Sequence, residues 1–216
     1  MIKALFFDID GTLVSFNTHE IPQSTVDALE QAKRNGVGVY ISTGRPVKLI
    51  NNLHAIEHLI DGYITTNGAY SFIGDKVVSC VDIPLEDART LIRLADEMNF
   101  ATMVVGAKDL TVYHPDEMVD KVFRQLLNVN DLGEDISLDT VLRPAITAAY
   151  AHHRRAAGEA RHAAAAPLHS RTMVSGICDV TARGGRQGQG AAAHGRTPGM
   201  DISETMPSAT AATTSR

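Results

Sequence analysis

The first 69 residues alternate short apolar runs with amphipathic stretches, and this alternation strongly constrains the fold. The runs KALFFDI (3–9), VGVYIST (37–43) and DGYITTNGA (61–69) predict three buried strands. The stretches STVDALEQAKRNG (24–36) and VKLINNLHAIEHL (47–59) predict helices between them. Because such units join parallel strands by right-handed crossovers, the sequence predicts an α/β fold with a parallel sheet.

The pattern changes after this first part. A hairpin is predicted around Gly74 and Asp75, followed by helices over 86–100 and 116–128 with two strands between them. This order of strands and helices is typical of an α+β domain. We therefore predict a core domain over 1–81 and a second, smaller domain over 82–147. One continuous domain remains an alternative at this point.

The composition changes again in the last third of the chain. Residues 148–216 are rich in Ala, Gly, His and Arg and poor in large aliphatic side chains, as in AAYAHHRRAAGEARHAAAAPLHSR (148–171). Such stretches bury too little apolar surface to offset the loss of chain entropy on folding. We therefore expect this region, residues 148–216, to be aberrant and poorly ordered.

The overall composition narrows the class of function. With 216 residues and 44% hydrophobic residues the chain can form a real core, and its net charge of -5 disfavours a nucleic-acid binder. No apolar run is long enough to cross a bilayer. Cys80 and Cys178 are interpreted as ordinary thiols, and the start lacks a signal-peptide pattern. These features predict a cytoplasmic protein whose partner is a small molecule.

The end of the first predicted strand carries two carboxylates. Asp8 and Asp10 lie two residues apart, which directs both toward one side of the carboxyl edge of the sheet, where open α/β sheets bind ligands. Two carboxylates this close repel unless a divalent cation lies between them, and hard oxygen ligands favour Mg²⁺. Gly11 permits a tight turn that presents backbone N–H groups, and Thr12 adds a hydroxyl. An acidic turn without function is the competing interpretation of these residues alone.

The second predicted strand ends in Thr43, Gly44 and Arg45, one crossover away at the same edge. A hydroxyl, a backbone N–H and a guanidinium are groups that bind phosphoryl oxygens. The two strand ends together therefore favour a phosphate-binding metal site over an acidic turn.

These motifs have a family resemblance. FFDIDGTL (6–13) resembles the first motif of the haloacid dehalogenase (HAD) superfamily, and ISTGRP (41–46) resembles the second motif of its Cof-type sugar-phosphatase branch. ITTNGA (64–69) is similar to the same branch, where it leads into an inserted cap. The resemblance runs in register to about residue 143. It implies a Rossmannoid parallel-sheet core with an inserted α+β cap domain, here with an incomplete C-terminal core.

The resemblance also implies roles. Asp8 attacks phosphorus to form an aspartyl-phosphate, and Asp10 protonates the leaving group and then activates water. Mg²⁺ is held by Asp8 and by the backbone carbonyl of Asp10, while Thr43 and the backbone of Gly11–Thr12 and Gly44 bind phosphoryl oxygens.

Two residues keep open roles within this resemblance. Arg45 either binds the substrate or has a structural role. Asn67 either lines the floor of the pocket or only forms a turn. The cap selects the substrate, a small phosphorylated metabolite of the sugar-phosphate class. His54 and His58 lie four apart on a predicted helix, without a third ligand in sight, and are interpreted as a solvated face.

Two motifs of this family are missing: a lysine that pairs with the nucleophile and a Gly-Asp-x-x-Asn-Asp segment that completes the metal site. Two islands nevertheless resemble the segments that precede them, CDVTARG (178–184) and MDISETM (200–206). The amino-acid composition of the stretches between the islands does not fit the family.

A frameshift accounts for the final residues. The sequence Met-Ala-Phe-Gly-Asp-Gly-Gly-Asn-Asp-Ile, written in codons that end in C where possible and read after loss of one G behind the Met codon, becomes MPSATAATTS, which is residues 206–215. The same exercise on GRQGQG (185–190) allows Ala-Asp-Lys-Ala-Lys-Gly, which restores a lysine. A genuine low-complexity tail is the competing interpretation.

We therefore expect a phosphatase lineage with impaired activity in this chain. Two other classes remain as hypotheses: an inactive fragment that binds a phosphometabolite or a metal, and a receiver-type phosphoacceptor domain. The Asp-x-Asp-Gly-Thr sequence at the first strand disfavours a receiver, because a receiver carries its phosphorylated Asp after a later strand.

Overall fold

The computed structural model describes residues 1–134, 136–142, 145–151, 168–174, 177–182 and 205–208. The chain divides into two compact units. The first unit comprises Met1–Arg45, Ile50–Ser79 and Gln187–Arg216, and the second comprises Pro46–Leu49 and Cys80–Arg186.

Within the described residues the chain forms eleven strands and four α-helices. The strands are β1 Ala4–Phe7, β2 Gly38–Ser42, β3 Gly62–Thr65, β4 Tyr70–Ile73, β5 Lys76–Cys80, β6 Thr102–Gly106, β7 Leu110–Tyr113, β8 Ile146–Ala151, β9 Leu168–Val174, β10 Ile177–Ala182 and β11 Thr205–Ser208. The helices are α1 Gln23–Arg34, α2 Leu85–Met98, α3 Glu117–Val119 and α4 Leu138–Leu142. A π-helical segment, Asp120–Leu126, continues α3.

The sheet of the first unit has the order β11-β1-β2-β3-β4-β5. Strands β11, β1, β2 and β3 run parallel to one another, and β4 is antiparallel to β3. The predicted α/β class with a parallel sheet is confirmed. The carboxyl ends of these parallel strands consequently share one edge of the sheet.

Apolar side chains from the parallel strands enter two separate clusters of the first unit. One cluster joins Val39 and Ile41 of β2 to Val26 and Leu29 of α1. Another contains Phe6 and Tyr40, whose rings stack with centroids 4.9 Å apart. Burial of each such side chain contributes about 1.5–3 kcal/mol, which explains why these strands are nearly continuous apolar runs.

The second unit contains an antiparallel sheet of order β7-β6-β8-β10-β9. Its apolar side chains form separate clusters: Ala88 and Ile92 of α2 pack with Val104 and Val180, while Phe123 of the π-helical segment packs in a cluster with Met103 and others. An antiparallel sheet with helices packed on it is an α+β arrangement, the class that the sequence predicts after residue 81. The predicted boundary at residue 147 falls inside β8.

The helix predicted over 47–59 is wrong. The structure has two short 3₁₀ turns there, Val47–Leu49 and Glu57–Leu59. The segment is divided between the units, since Pro46–Leu49 belongs to the second unit and Ile50 begins the next part of the first. The apolar positions that suggested one amphipathic helix therefore serve two cores, with Leu49 in one cluster and Leu53 in another.

The two family-like islands overlap strands. Residues 178–182 lie in β10, and Thr205 and Met206 begin β11. Residues 183–184 and 200–204, and most of the region predicted to be poorly ordered, lie outside the described residues. Among the described helices, none combines the length and the apolar character required to cross a membrane.

Candidate active site

The candidate site is built at the carboxyl ends of three neighbouring parallel strands. Asp8 follows β1 directly, Thr43 follows β2, and Thr66 follows β3. Because β1 pairs with β2 and β2 with β3 in parallel, these residues stand at one edge of the sheet. The edge combines the residues that the sequence had placed on three separate motifs.

A tight turn after β1 holds the two carboxylates. The N–H of Gly11 donates to the carbonyl of Val14 at 2.8 Å, and the N–H of Val14 donates to the carbonyl of Ile9 at 2.9 Å. Ile9 is fully buried, whereas Asp8 and Asp10 on either side of it are partly exposed. The buried isoleucine thus anchors the turn and leaves both carboxylates at the surface of the sheet edge.

Gly11 is required by the geometry of this turn. Its φ is +74°, a region that favours glycine, and a Cβ at this position would lie 2.9 Å from Cε2 of Phe16. The glycine therefore permits a tight backbone path in which the N–H of Thr12 donates to the carbonyl of Ile9 at 3.2 Å.

The loop after β2 interlocks with the loop after β3. The N–H of Asn67 donates to the carbonyl of Thr43 at 3.3 Å, and the N–H of Thr66 donates to the carbonyl of Arg45 at 3.1 Å. Asn67 has a φ of 54°, which asparagine tolerates, and a Cβ on Gly44 would lie 3.1 Å from Asn67 Oδ1. Asn67 thus packs against the backbone of Gly44 and supports this loop.

Arg45 connects the two predicted phosphate-binding loops. Its Nε donates to Oδ2 of Asp10 at 2.8 Å, and its Nη2 donates to Oδ1 of the same carboxylate at 2.8 Å. Its Nη1 donates to Oδ1 of Asn51 at 3.3 Å. The side chain of Arg45 is only 4% exposed and that of Asp10 is 20% exposed. The fold brings these two residues together across 35 positions of sequence.

The environment of Asp8 shifts its acidity. Burial, reinforced by the charge of Asp10, raises the pKa of Asp8 to about 6. A hydrogen bond from the N–H of Ile9 to Asp8 Oδ1, at 2.9 Å, and the charge of Arg45 act in the opposite direction. A nearby cation would favour the ionised form that a nucleophile requires.

The donors at this edge fit part of a Mg²⁺ site. Asp8 and the turn after β1 offer oxygen atoms, the ligand type that Mg²⁺ prefers. Within the part of the chain that the structure describes, no group of three or more His, Cys, Asp or Glu residues is placed to hold a metal ion. His54 and His58 are both exposed.

Strand β11 pairs in parallel with β1, with Thr205 opposite Ala4 and Ser208 opposite Phe7. Its carboxyl end therefore lies at the same edge as Asp8. Residues 209–214, which follow it, are Ala-Thr-Ala-Ala-Thr-Thr and contain no carboxylate. Those residues lie outside the described part of the chain.

Sequence reasoning missed Asn51, the further partner of Arg45. The available signal was the Asn51–Asn52 pair, which interrupts the apolar pattern of a segment predicted to be helical. A polar pair inside such a pattern indicates a break in the helix and a side chain with another partner.

Comparison with known proteins gives consistent results. A family model described as haloacid dehalogenase-like hydrolase matches residues 5–192. The sugar phosphatase BT4131, of HAD subclass IIB, has a solved structure that is 36% identical with a TM-score of 0.83, covering 95% of this chain and 79% of that chain. A second solved structure, from work on a trigonal-bipyramidal intermediate in a phosphoryl-transfer superfamily, is 36% identical with a TM-score of 0.86, covering 96% of this chain and 80% of that chain.

Among curated proteins, YxeH of Bacillus subtilis (strain 168), which carries a phosphatase name, is 29% identical over 159 residues, or 66% of this chain. The chain spans 57% of the length of YxeH. The motifs at the sheet edge, the fold and these matches agree, and the chain belongs to the haloacid dehalogenase-like hydrolase family.

Proposed function

We propose that this chain derives from a Mg²⁺-dependent phosphohydrolase that acts on small phosphorylated metabolites, of the sugar-phosphate class, through an aspartyl-phosphate on Asp8. The observation that carries the proposal is the arrangement at the sheet edge, where Asp8 and Asp10 follow β1 and the Thr43–Arg45 loop follows β2. The solved structure of a sugar phosphatase at 36% identity supports the substrate class.

The proposed reaction divides the work between two carboxylates. Asp8 attacks phosphorus, the bond from phosphorus to the leaving oxygen breaks, and Asp10, acting in its protonated form, gives that oxygen its proton and becomes a carboxylate. Asp10 then takes a proton from the water that hydrolyses the aspartyl-phosphate.

Phosphoryl oxygens are proposed to bind the backbone N–H of Gly44 and the hydroxyl of Thr43. The N–H groups of Gly11 and Thr12, the other donors expected from the sequence, instead donate to the carbonyls of Val14 and Ile9 at 2.8 and 3.2 Å. Thr43 is 1% exposed, and its Oγ1 accepts a hydrogen bond from the N–H of Arg45 at 3.1 Å, so the hydroxyl keeps its own proton as a donor.

Asp8 and the backbone carbonyl of Asp10 are the proposed metal ligands. Bound Mg²⁺ would neutralise repulsion between the nucleophile and the phosphate.

We further propose that activity of this particular chain is impaired. No lysine follows Lys121 in the sequence, and no Gly-Asp-x-x-Asn-Asp segment follows β11. Loss of comparable catalytic groups reduces turnover by roughly 10³-fold or more. The same observation favours a second candidate function, binding of a phosphometabolite or metal without turnover.

The test measures hydrolysis of 4-nitrophenyl phosphate and of a panel of sugar phosphates, with Mg²⁺ and with EDTA, for the wild-type chain and Asp8→Asn. We expect slow, Mg²⁺-dependent turnover that Asp8→Asn removes. Turnover near that of an ordinary family member contradicts the impairment, whereas metabolite binding without any turnover establishes the second candidate. A stable acyl-phosphate after incubation with acetyl phosphate would indicate a receiver.

A further inference from the structure

The contact between Arg45 and Asp10 has the geometry of a clamp. Nε and Nη2 of the guanidinium each donate to a different oxygen of the Asp10 carboxylate, both at 2.8 Å. Such paired donation by arginine fixes both the position and the plane of a carboxylate, which a lysine ammonium does not. The side chain of Arg45 is 4% exposed, so solvent competes little for its N–H groups.

Arg45 is itself held by the loop around it. Its backbone N–H donates to Oγ1 of Thr43, its carbonyl accepts the N–H of Thr66, and its Nη1 reaches Asn51. These contacts come from segments after β2 and β3, which the sheet places side by side. The guanidinium is thus a fixed donor against which the orientation of Asp10 is set.

We propose that Arg45 is a positioning residue that grips both oxygens of Asp10 and so keeps this carboxylate away from the metal and in one orientation for proton transfer. The proposal rests on the proposed function. It replaces direct phosphate binding as the role of Arg45, because a phosphoryl group would have to displace a carboxylate from Nε and Nη2.

The proposal follows from how the two carboxylates share one turn. Asp8 and Asp10 are separated by a single residue, and a divalent cation at this edge attracts both. Neutralisation of Asp10 by Arg45 leaves Asp8 as the side chain with charge to offer the metal. Each oxygen of Asp10 keeps a further lone pair, so the clamped carboxylate still accepts or returns a proton.

A metal titration tests this role without requiring turnover. Thermal unfolding of the wild-type chain, Arg45→Met and Arg45→Lys is followed against Mg²⁺ concentration, with Arg93→Met as a control at an exposed ion pair with Glu97. We expect Arg45→Met to bind Mg²⁺ roughly tenfold more tightly, since a nearby cation is lost and Asp10 is released. Arg45→Lys keeps the positive charge but loses the paired N–H donors. We expect it to bind Mg²⁺ more tightly than the wild-type chain, by a smaller factor than Arg45→Met does. Unchanged or weaker binding in both variants overturns the proposal.

A second measurement uses no metal. In EDTA, the unfolding temperatures of Arg45→Met, Asp10→Asn and the double variant are compared. We expect the double variant to be more stable than Arg45→Met alone, because Asp10→Asn removes the carboxylate that has lost its partner. Additive effects of the two substitutions contradict the clamp, whatever the outcome for Mg²⁺.

A third measurement separates positioning from general damage. The leaving group of 4-nitrophenyl phosphate departs without a proton, whereas that of glucose 6-phosphate requires one. We expect Arg45→Lys to lower residual kcat more for glucose 6-phosphate than for 4-nitrophenyl phosphate. Equal losses for both substrates overturn the positioning role, while a wild-type chain that shows no Mg²⁺ response and no turnover refutes the proposed function instead.

Discussion

Two parts of the same sheet edge differ in what they bring to it. The ends of β1, β2 and β3 carry the Asp8–Asp10 turn, the Thr43–Arg45 loop and Asn67, joined by hydrogen bonds from Arg45 to Asp10 and between the backbones of the last two loops. Strand β11 lies beside β1 in parallel register but is followed by Ala-Thr-Ala-Ala-Thr-Thr. The ends of β1, β2 and β3 therefore carry polar and charged side chains, whereas β11 supplies a paired strand that no carboxylate follows.

The difference shows that strand pairing and site chemistry have separate requirements. Pairing of β11 with β1 uses backbone groups, which do not depend on the side chain except at Pro207, where the N–H is missing. Metal binding and phosphoryl transfer need particular side chains at particular positions. A change of reading frame behind Met206 keeps the strand and removes the acids, which is the pattern expected of the proposed frameshift.

The largest expected effect comes from restoring the missing chemistry. Residues 206–215 are replaced by Met-Ala-Phe-Gly-Asp-Gly-Gly-Asn-Asp-Ile, and residues 185–190 by Ala-Asp-Lys-Ala-Lys-Gly. We expect Mg²⁺-dependent turnover of sugar phosphates to rise roughly 10³-fold or more, because the lysine and the metal-binding acids return.

The control carries the same replacements with Asn in place of each introduced Asp. It is expected to show no gain, as is the restored chain bearing Asp8→Asn. If the restored chain turns over sugar phosphates no faster than the wild-type chain, the frameshift hypothesis is contradicted.

Two truncated chains test whether β11 contributes to stability, to turnover or to both. A chain that ends at residue 204 lacks β11, and we expect its free energy of unfolding to fall by about 3 kcal/mol, since the ladder to β1 is lost at about 1 kcal/mol per hydrogen bond. A chain that ends at residue 208 keeps the strand and should match the wild type in denaturant unfolding. Residual turnover well below the unfolding temperature should be the same in both, and a loss confined to the shorter chain would mean that β11 also serves the site.

The shifted pKa of Asp8 predicts a pH dependence in EDTA. The folded chain keeps a proton on Asp8 up to about pH 6, while the unfolded chain loses it near the ordinary value of 3.8. Stability from this group is therefore present below pH 3.8 and is lost as the pH rises through 6. We expect Asp8→Asn to stabilise the chain by about 2 kcal/mol more at pH 8 than at pH 4, after allowance for partial solvent exposure. Equal effects at the two pH values in urea titrations would contradict this environment of Asp8.

The smallest effect tests the contact between the loops after β2 and β3. Gly44→Ala places a Cβ 3.1 Å from Asn67 Oδ1, and we expect a loss of about 1 kcal/mol in unfolding free energy from overpacking. Asn67→Gly tolerates the φ of 54° and removes the amide. The double variant should therefore recover most of the loss that Gly44→Ala causes, and failure to recover would place the strain elsewhere.

Prediction from the sequence succeeded where local patterns carry the information. Strands β1, β2 and β3 lie within the predicted runs, because apolar runs of this length must be buried on both faces of a sheet. It failed over 47–59, because helical periodicity cannot reveal that Leu49 and Leu53 enter different cores. The roles of the site residues stay predictions.

The sequence by itself determined the family, the α/β class and the three strand ends that carry reactive side chains, since motif spacing and apolar periodicity are local properties. Only the tertiary structure decided that Arg45 grips Asp10, that Asn51 shares this guanidinium and that β11 lies beside β1. These contacts join residues far apart in the chain, and their partners are chosen by how the strands pair and not by any pattern that a single segment displays.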